Sequence, residues 1–499
     1  MVIEPAKTEY RALANKVKGL KIFTLGNERL APLRLNPFEL FRFESVTGHV
    51  DLLKAAFAAA FPMEAAMPYM LEDAIYTIYE KRGWDISGMQ LAEEANRLCE
   101  DPWNPSVMGR YWPTMDDLII ALGEVVDKEG FDARLANDYR ASLVSRLRNL
   151  TVGSKGSMLN CRISTDFEML MTSKVVLEME DLKDPQDKAL MMGLILARVG
   201  ESIKERQRRL GGGTKHLTIV EEAHRLLAHP EPSSSDSSRH SVVTFADMLA
   251  EIRKYGEGLV IVDQIPGKLT PEVLKNTNTK IIHKLFARDD REAMGDAIGL
   301  EDVQKSWLAK LKTGEVVIFS GQWLKPVHAK VERLENTGDP TWELLEKLFE
   351  KMFLDQQTAH FPAACSVTGN RFNSKSQILI FRELISTIRH CIPDATKDSC
   401  KTDADFFKIF SKYIHSSNAR SHYEKLAASF EMLETCLAAE LCAGQEIKEM
   451  SLDDYRKNIA HVARFIKMSL CASGQLEMDR ELGMTLRNLF YVKKHNGGR

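Results

Sequence analysis

Two consecutive acids, Glu221 and Glu222, close the apolar run Leu217-Thr218-Ile219-Val220. In a parallel sheet such a run delivers its last side chains to the crevice outside the strand ends, where ligands bind. One carboxylate there can hold Mg²⁺, usually through water, while its neighbour orients or deprotonates an attacking water. That is the chemistry of a Walker B element, and a solvated strand end fits the same two residues. His224 lies just beyond the acids, within reach of the same site. A second apolar run, Leu259 to Val262, leads through Asp263 to Gln264, from which a polar side chain could touch a terminal phosphate or the lytic water. An ordinary turn amide is the simpler reading of that residue taken alone. Arg253, in EIRKYGEG, and Arg288 and Arg291, in ARDDREAMG, are candidate arginine fingers, which stabilise transition-state charge at a neighbour's nucleotide. Each alone reads equally as a surface ion pair.

The elements that must position these residues alternate. Lys174 to Met179 is a β-rich run, and Asp184-Pro185 supplies an N-cap and first-turn proline for a helix from about Gln186 to Gln207. A strand at Leu217–Val220, a helix from Phe245 to Lys254 and strands at Leu259–Val262, Lys280–Ile282 and Glu315–Phe319 follow. This order predicts an α/β fold, a mostly parallel sheet covered by helices. Ahead of it, Val2-Ile3-Glu4-Pro5 reads as a short edge strand or as a domain entered part-way. Leu20 to Leu25 is a second strand, and Pro32 to Pro37 a brief extended piece. From Val50 to about Leu150 the apolar spacing is helical, with Asp101 to Pro113 as an irregular connection. The Ser-rich stretch Pro232 to Ser238 reads as a mobile surface loop. Past a boundary near Asn336 to Pro340 the pattern is helical again. The expected units are residues 1–48 and 171–335 as one core, 49–170 as a helical insertion and 341–499 as an all-α C-terminal domain.

Composition narrows the function classes. With 44% hydrophobic and 27% charged residues, the 499-residue chain is globular, not disordered or fibrous. Sixty-seven Lys+Arg against 70 Asp+Glu, a formal charge of -3, argues against nucleic-acid binding through bulk positive charge and leaves room for a local basic lining. No apolar run approaches the roughly 20 residues of a membrane helix, and the start MVIEPAKTEY lacks a signal-peptide core. Eight irregularly spaced cysteines fit reduced thiols, and the expected location is the cytoplasm. His390-Cys391 and Cys400 lack a second short-spaced pair for zinc. Two basic groups, Lys204/Arg206/Arg208/Arg209 and Arg140/Arg146/Arg148/Lys155, read as a helix C-terminus and a solvated helix face, the second also as a nucleic-acid contact.

Taken in order, VIEPAKTEYR, LGNE, LRLNPFEL, LTVGSKGSMLN, IVEEAHRLL, EIRKYGEGLVIVDQIPGKL, NTNTKIIHKL and DDREAMG resemble the HerA branch of the HerA/FtsK superfamily of P-loop ATPases and its conjugative-transfer relatives. The resemblance covers most of Val2 to about Leu334. It implies a RecA-like core, a ring of subunits, usually six, and ATP-driven movement of DNA or protein through the ring. It also implies that Glu221 and Glu222 are the Walker B acids, Glu221 holding Mg²⁺ through water and Glu222 acting as base, that Gln264 is the sensor, and that Arg253 and Arg291 act in trans. Arg288 and His224 are further candidates. A nuclease or other effector is an implied partner, with the C-terminal helices as a docking appendage.

No G-x-x-x-x-G-K-[ST] motif occurs in the sequence: Gly267-Lys268 is followed by Leu269, and Gly153-Ser154-Lys155-Gly156-Ser157 has the composition without the spacing. In the family that loop precedes the strand matching Val2 to Pro5. The expectation is therefore that this chain alone binds ATP weakly or not at all. Two functions stay open: the ATPase core of a DNA translocase completed by a phosphate-binding segment from elsewhere, and a catalytically deficient structural or effector-docking subunit.

Overall fold

A computed structural model describes residues 1–61, 63–87, 111–211, 215–232, 234–332, 339–356, 372–397, 418–427, 432–442 and 452–471. Ten of the residues in the expected Asp101–Pro113 connection, the start of the boundary near Asn336, and Cys365 and Cys400 lie outside the described residues. In chain order the core opens with β1 (Val2–Glu4), β2 (Leu20–Thr24), α1 (Val46–Ala60), α2 (Met67–Lys81), α3 (Met115–Lys128), α4 (Ala133–Asn149), α5 (Gly153–Leu159) and α6 (Phe167–Thr172). It continues with β3 (Lys174–Glu178), α7 (Pro185–Leu210), β4 (His216–Glu221), α8 (His224–Leu227), α9 (Asp236–Ile252) and β5 (Glu257–Val262). Then come α10 (Pro271–Asn276), β6 (Thr279–Ile282), α11 (Arg288–Ala297), α12 (Asp302–Trp307), β7 (Glu315–Ser320) and β8 (Val327–Lys330). The helices α13 (Trp342–Asp355), α14 (Lys375–Lys397), α15 (Ala419–Ala427), α16 (Leu433–Cys442) and α17 (Leu452–Cys471) follow.

The five strands β2-β3-β1-β4-β5 form one sheet, parallel throughout. β1 is thus not an edge strand; it runs between β3 and β4, and its three residues are buried. A second sheet, β6-β7-β8, is antiparallel and stands apart from the first. The apolar runs at Lys280–Ile282 and Glu315–Phe319 therefore do not extend the parallel sheet. They pair with each other, and a small separate cluster around Ile282, Met294, Leu308 and Val317 covers one face of the pair while Ile281 stays exposed. Pro32 to Pro37 is extended without being a strand: Leu35 N–H donates to Met158 O at 2.9 Å, and Arg34 exchanges bonds with Thr165.

The longest core helix, α7, starts where its sequence signals place it: the Asp184 carboxylate accepts from Gln186 N–H, Pro185 follows, and Gly211 closes the helix at φ 70°. Its residues from Asp187 to Ile203 are buried, far more than one stripe, because it packs against both α1 and α9. The helices between Val46 and Thr172 share one continuous hydrophobic core with the sheet. The Ser-rich stretch is a loop only in part: its last three residues, Asp236 to Ser238, open α9. Ser235 caps α9, and Ser237 and Ser238 donate to the carbonyls of Met63 and Ala58, groups at and beyond the end of α1 that need donors. The C-terminal helices hold a core of their own around Phe381, Leu437 and Phe465. Among the described residues no helix is long and apolar enough to cross a membrane.

Candidate functional site

Because the strands run parallel, their C-terminal ends lie along one edge of the sheet, and all but β2 bring an acid there. Glu4 of β1 stands opposite Glu178 of β3. The β1–β4 register, Ile3 to Val220, sets Glu4 beside Glu221, and Glu221 faces Val262 of β5. Glu222, Asp263 and Gln264 follow directly at the same edge. Four neighbouring strands thus end in one row of carboxylates, at the crevice where such sheets bind ligands.

Each acid has a different neighbour. The Tyr10 hydroxyl donates to Glu221 Oε1 at 2.7 Å. The Arg11 guanidinium grips Glu178 with both carboxylate oxygens, at 2.6 to 3.1 Å. Glu4 Oε1 accepts the backbone N–H of Glu9 at 2.9 Å, while its Oε2 is buried without a hydrogen-bond partner. Burial pushes the Glu4 carboxyl up to about 7; the Glu9 N–H opposes the rise, and the charges of Glu178 and Glu221 add to it. The Tyr10 phenol is raised above its ordinary value, by burial first and by its bond to Glu221 second, so it stays a protonated donor. Lys188, at the start of α7, is buried and donates to the carbonyl of Pro5; burial and then the nearby Arg225 charge lower it.

Glu222 has φ 47°, in the left-handed region that residues with a side chain rarely enter. Its carboxylate is held by Arg225, one turn on in α8, through Nε and Nη2 at 2.6 Å. Asp263 fastens the two strand ends: it accepts from His224 N–H at 2.8 Å and from Ile265 N–H at 2.8 Å, and pairs with His224 Nδ1 at 2.9 Å. His224 thus ties the segment after β4 to β5. Gln264 is exposed beside it.

The arginine candidates are not drawn into this row. Arg253 precedes β5 and lies at the opposite, N-terminal edge of the sheet, about 20 Å away by strand length. Arg288 is exposed and paired with Glu292 at 2.7 Å, and Arg291 donates to the carbonyl of Phe286. Asp290, between them, accepts from Gly267 N–H at 2.8 Å and seats the Pro266–Lys268 turn on α11. The GSKGS segment is the start of α5: Lys155 pairs with Asp187 at 3.0 Å. Arg206 and Arg209 pair with Glu168, and Arg140 with Asp127, so these cations have local partners. Glu4, Tyr10, Arg11, Glu178, Lys188, Arg225 and Asp263 were not singled out from the sequence. A signal was present: Val2-Ile3-Glu4 and Val175-Val176-Leu177-Glu178 repeat the pattern of Val220-Glu221, an apolar strand closed by an acid.

Among the described residues no group of three or more His, Cys, Asp or Glu is arranged to hold a metal ion. A magnesium ion carried mainly by phosphates and water needs only one or two protein carboxylates. Glu221 at the strand end, with Glu222 next to it, is the pair that would face such an ion and its water shell.

No protein-family model matches the chain. The DNA double-strand break repair helicase HerA of Sulfolobus acidocaldarius is 32% identical over 143 residues, 28% of this chain and 28% of that protein. The protein of the same name from Pyrococcus furiosus is 36% identical over 112 residues, 22% of this chain and 19% of that protein. The chain thus spans about a quarter of the length of the curated relatives it matches. Among solved structures, VirB4 of Thermoanaerobacter pseudethanolicus superposes with a TM-score of 0.50 at 20% identity, covering 67% of this chain and 82% of that one. The parallel sheet with its covering helices is an α/β fold like that of VirB4.

Proposed function

We infer that this HerA-like chain supplies the acidic side of an ATP-hydrolysing site in an assembly that moves DNA. The observation that carries the reading is the row of strand-end acids, with Glu221 and Glu222 beside Asp263 and Gln264 on the adjacent strand. In it Glu221 holds Mg²⁺ through water, Glu222 orients and deprotonates the attacking water, and Gln264 senses the terminal phosphate. Since the sequence contains no G-x-x-x-x-G-K-[ST] loop, the phosphate-binding backbone comes from a segment outside these 499 residues. Arg253 and Arg291, set apart from the acids, would serve a neighbouring subunit's nucleotide in a ring, usually of six. DNA passing through the ring, an effector such as a nuclease at the C-terminal helices (341–499), and a cytoplasmic setting complete the reading.

The test is nucleotide binding and hydrolysis by the full chain, alone and together with the polypeptide that bears the loop. Alone, the chain should bind Mg·ATP poorly, and micromolar affinity would overturn that part. In the completed assembly Glu222→Gln should lower turnover by about a hundredfold or more and spare nucleotide binding. Unchanged turnover removes Glu222 from the chemistry.

A second reading, a non-hydrolysing subunit, is favoured by one contact: Arg225 holds the Glu222 carboxylate at 2.6 Å. If it holds, Arg225→Ala and Glu222→Gln will leave the assembly's turnover alike at the parent value.

A further inference from the structure

Residues 9, 10 and 11 cross three strand ends in succession. Glu9 donates its N–H to Glu4 of β1, Tyr10 its hydroxyl to Glu221 of β4, and Arg11 its guanidinium to Glu178 of β3. The first of these bonds makes the others possible. Thr8 precedes the 3-10 segment Glu9–Asn15 but gives it no side-chain cap. The Glu4 carboxylate, buried at the end of β1, receives the leading N–H instead. An N–H that would be orphaned is satisfied, and the segment is turned back over the sheet edge. Tyr10 then reaches a residue 211 positions away in sequence with a 2.7 Å bond to one carboxylate oxygen. Its phenol is a neutral donor, so it fixes the carboxylate without neutralising the charge, whereas Glu222 next door is held by a guanidinium.

We propose that Tyr10 is a positioning residue for Glu221: by holding Oε1 it commits Oε2 to the water shell of the nucleotide's magnesium ion, and Glu4 is the anchor that keeps Tyr10 in place. The proposal rests on the reading of Glu221 as the acid facing magnesium. Groups that orient a metal-binding carboxylate commonly contribute tenfold or more in metal affinity. Tyr10→Phe removes one hydroxyl and keeps the ring, so the packing of the segment is retained.

The experiment titrates Mn²⁺, as a paramagnetic substitute for Mg²⁺, into the full chain assembled with the polypeptide that bears the phosphate-binding loop, with a slowly hydrolysed ATP analogue at millimolar concentration. Bound ion is followed by electron paramagnetic resonance for the parent, Tyr10→Phe and Glu221→Gln, and the thermal midpoint is measured for each without metal. The expected result is Mn²⁺ affinity about tenfold weaker in Tyr10→Phe at an unchanged midpoint, and loss of the bound signal in Glu221→Gln. Glu4→Gln, which keeps an acceptor oxygen for the Glu9 N–H, should retain the parent affinity. Parent-like affinity in Tyr10→Phe, with the signal lost in Glu221→Gln, overturns the role of Tyr10 and leaves the reading of Glu221 standing. Parent-like binding in Glu221→Gln, or no bound signal in the parent, overturns both. Should Tyr10→Phe lower the midpoint, the titration is repeated well below both midpoints, where parent and variant are folded, and parent-like affinity there overturns the role of Tyr10.

Discussion

The acids at the sheet edge differ in what holds them, and that makes their substitutions separable. Asp263 is the most committed: side-chain burial leaves 3% of it exposed, and it accepts from His224 N–H and Ile265 N–H while pairing with the His224 ring. Asp263→Ala should cost about 2–4 kcal/mol, since it orphans two backbone donors at once, and urea denaturation measures it. A value below about 0.5 kcal/mol would mean that the His224 tie does not hold the strand ends together. Glu4 predicts a pH dependence. Burial raises its carboxyl from 4.5 to about 7 in the folded chain. The folded state therefore binds a proton that the unfolded chain has already released. Stability from this group is full below the ordinary carboxylate range and is lost as the pH climbs through about 7. Glu4→Gln removes the ionisation, so its thermal midpoint should fall less than the parent's between pH 5 and pH 8. Parallel profiles would place the titration elsewhere. Glu221 and Glu222 were legible in the sequence because a strand closed by two adjacent acids is a local pattern. Tyr10, Arg11 and Asp263 were not, since their partners lie 211, 167 and 39 positions away.

Elements were legible where the signal is local and illegible where a neighbour decides. Asp184-Pro185 fixed the start of α7 because capping is settled within four residues. Ser235, Ser237 and Ser238 look like loop residues by composition, yet they cap and open α9, because the α1 end and the Met63 carbonyl beyond it need donors that Ser237 and Ser238 can supply. Likewise β1 has only three residues, and its central place follows from pairing with β3 and β4, which no three-residue pattern encodes. The glycines of GSKGS illustrate the same point. Gly156 is required by packing: a Cβ on it would stand 2.1 Å from the Thr151 carbonyl oxygen, against main chain that cannot give way. Gly156→Ala should therefore destabilise the fold by about 1–3 kcal/mol, the usual range for forced overpacking, by unseating the turn between α4 and α5. Calorimetry on the purified variant checks it. A neutral result would show that the turn opens freely.

At the scale of the molecule, the two edges of the parallel sheet are treated differently. β2 is covered: α13 lies along it, and the Ile22 N–H donates to Met352 Sδ at 3.2 Å. Among the described strands β5 pairs with β4 alone, and Val260 in it is 40% exposed. The covered edge is also where the C-terminal helices attach. Glu28, after β2, receives Arg34 through both oxygens at 2.6 and 2.7 Å and Arg382 of α14 at 2.5 Å. Burial alone would raise the Glu28 carboxyl, but the two guanidinium charges outweigh it and hold the group below its ordinary range. Burial and the adjacent Arg34 charge pull Arg382 down to about 10, which still leaves it charged at neutral pH. The clamp is therefore complete above the ordinary carboxylate range and is lost as the pH falls through the depressed value of Glu28. Glu28→Gln at neutral pH leaves two guanidinium groups facing each other without their shared anion, a loss of about 3–5 kcal/mol for a buried pair broken on one side. Because the C-terminal helices have their own core, the loss should fall on the attachment and not on either part. Amide hydrogen exchange should quicken in α13 and the first turns of α14, with α16 and α17 unchanged, and the same pattern should appear in the parent on acidification. Equal quickening in all four helices would mean that the two cores unfold as one.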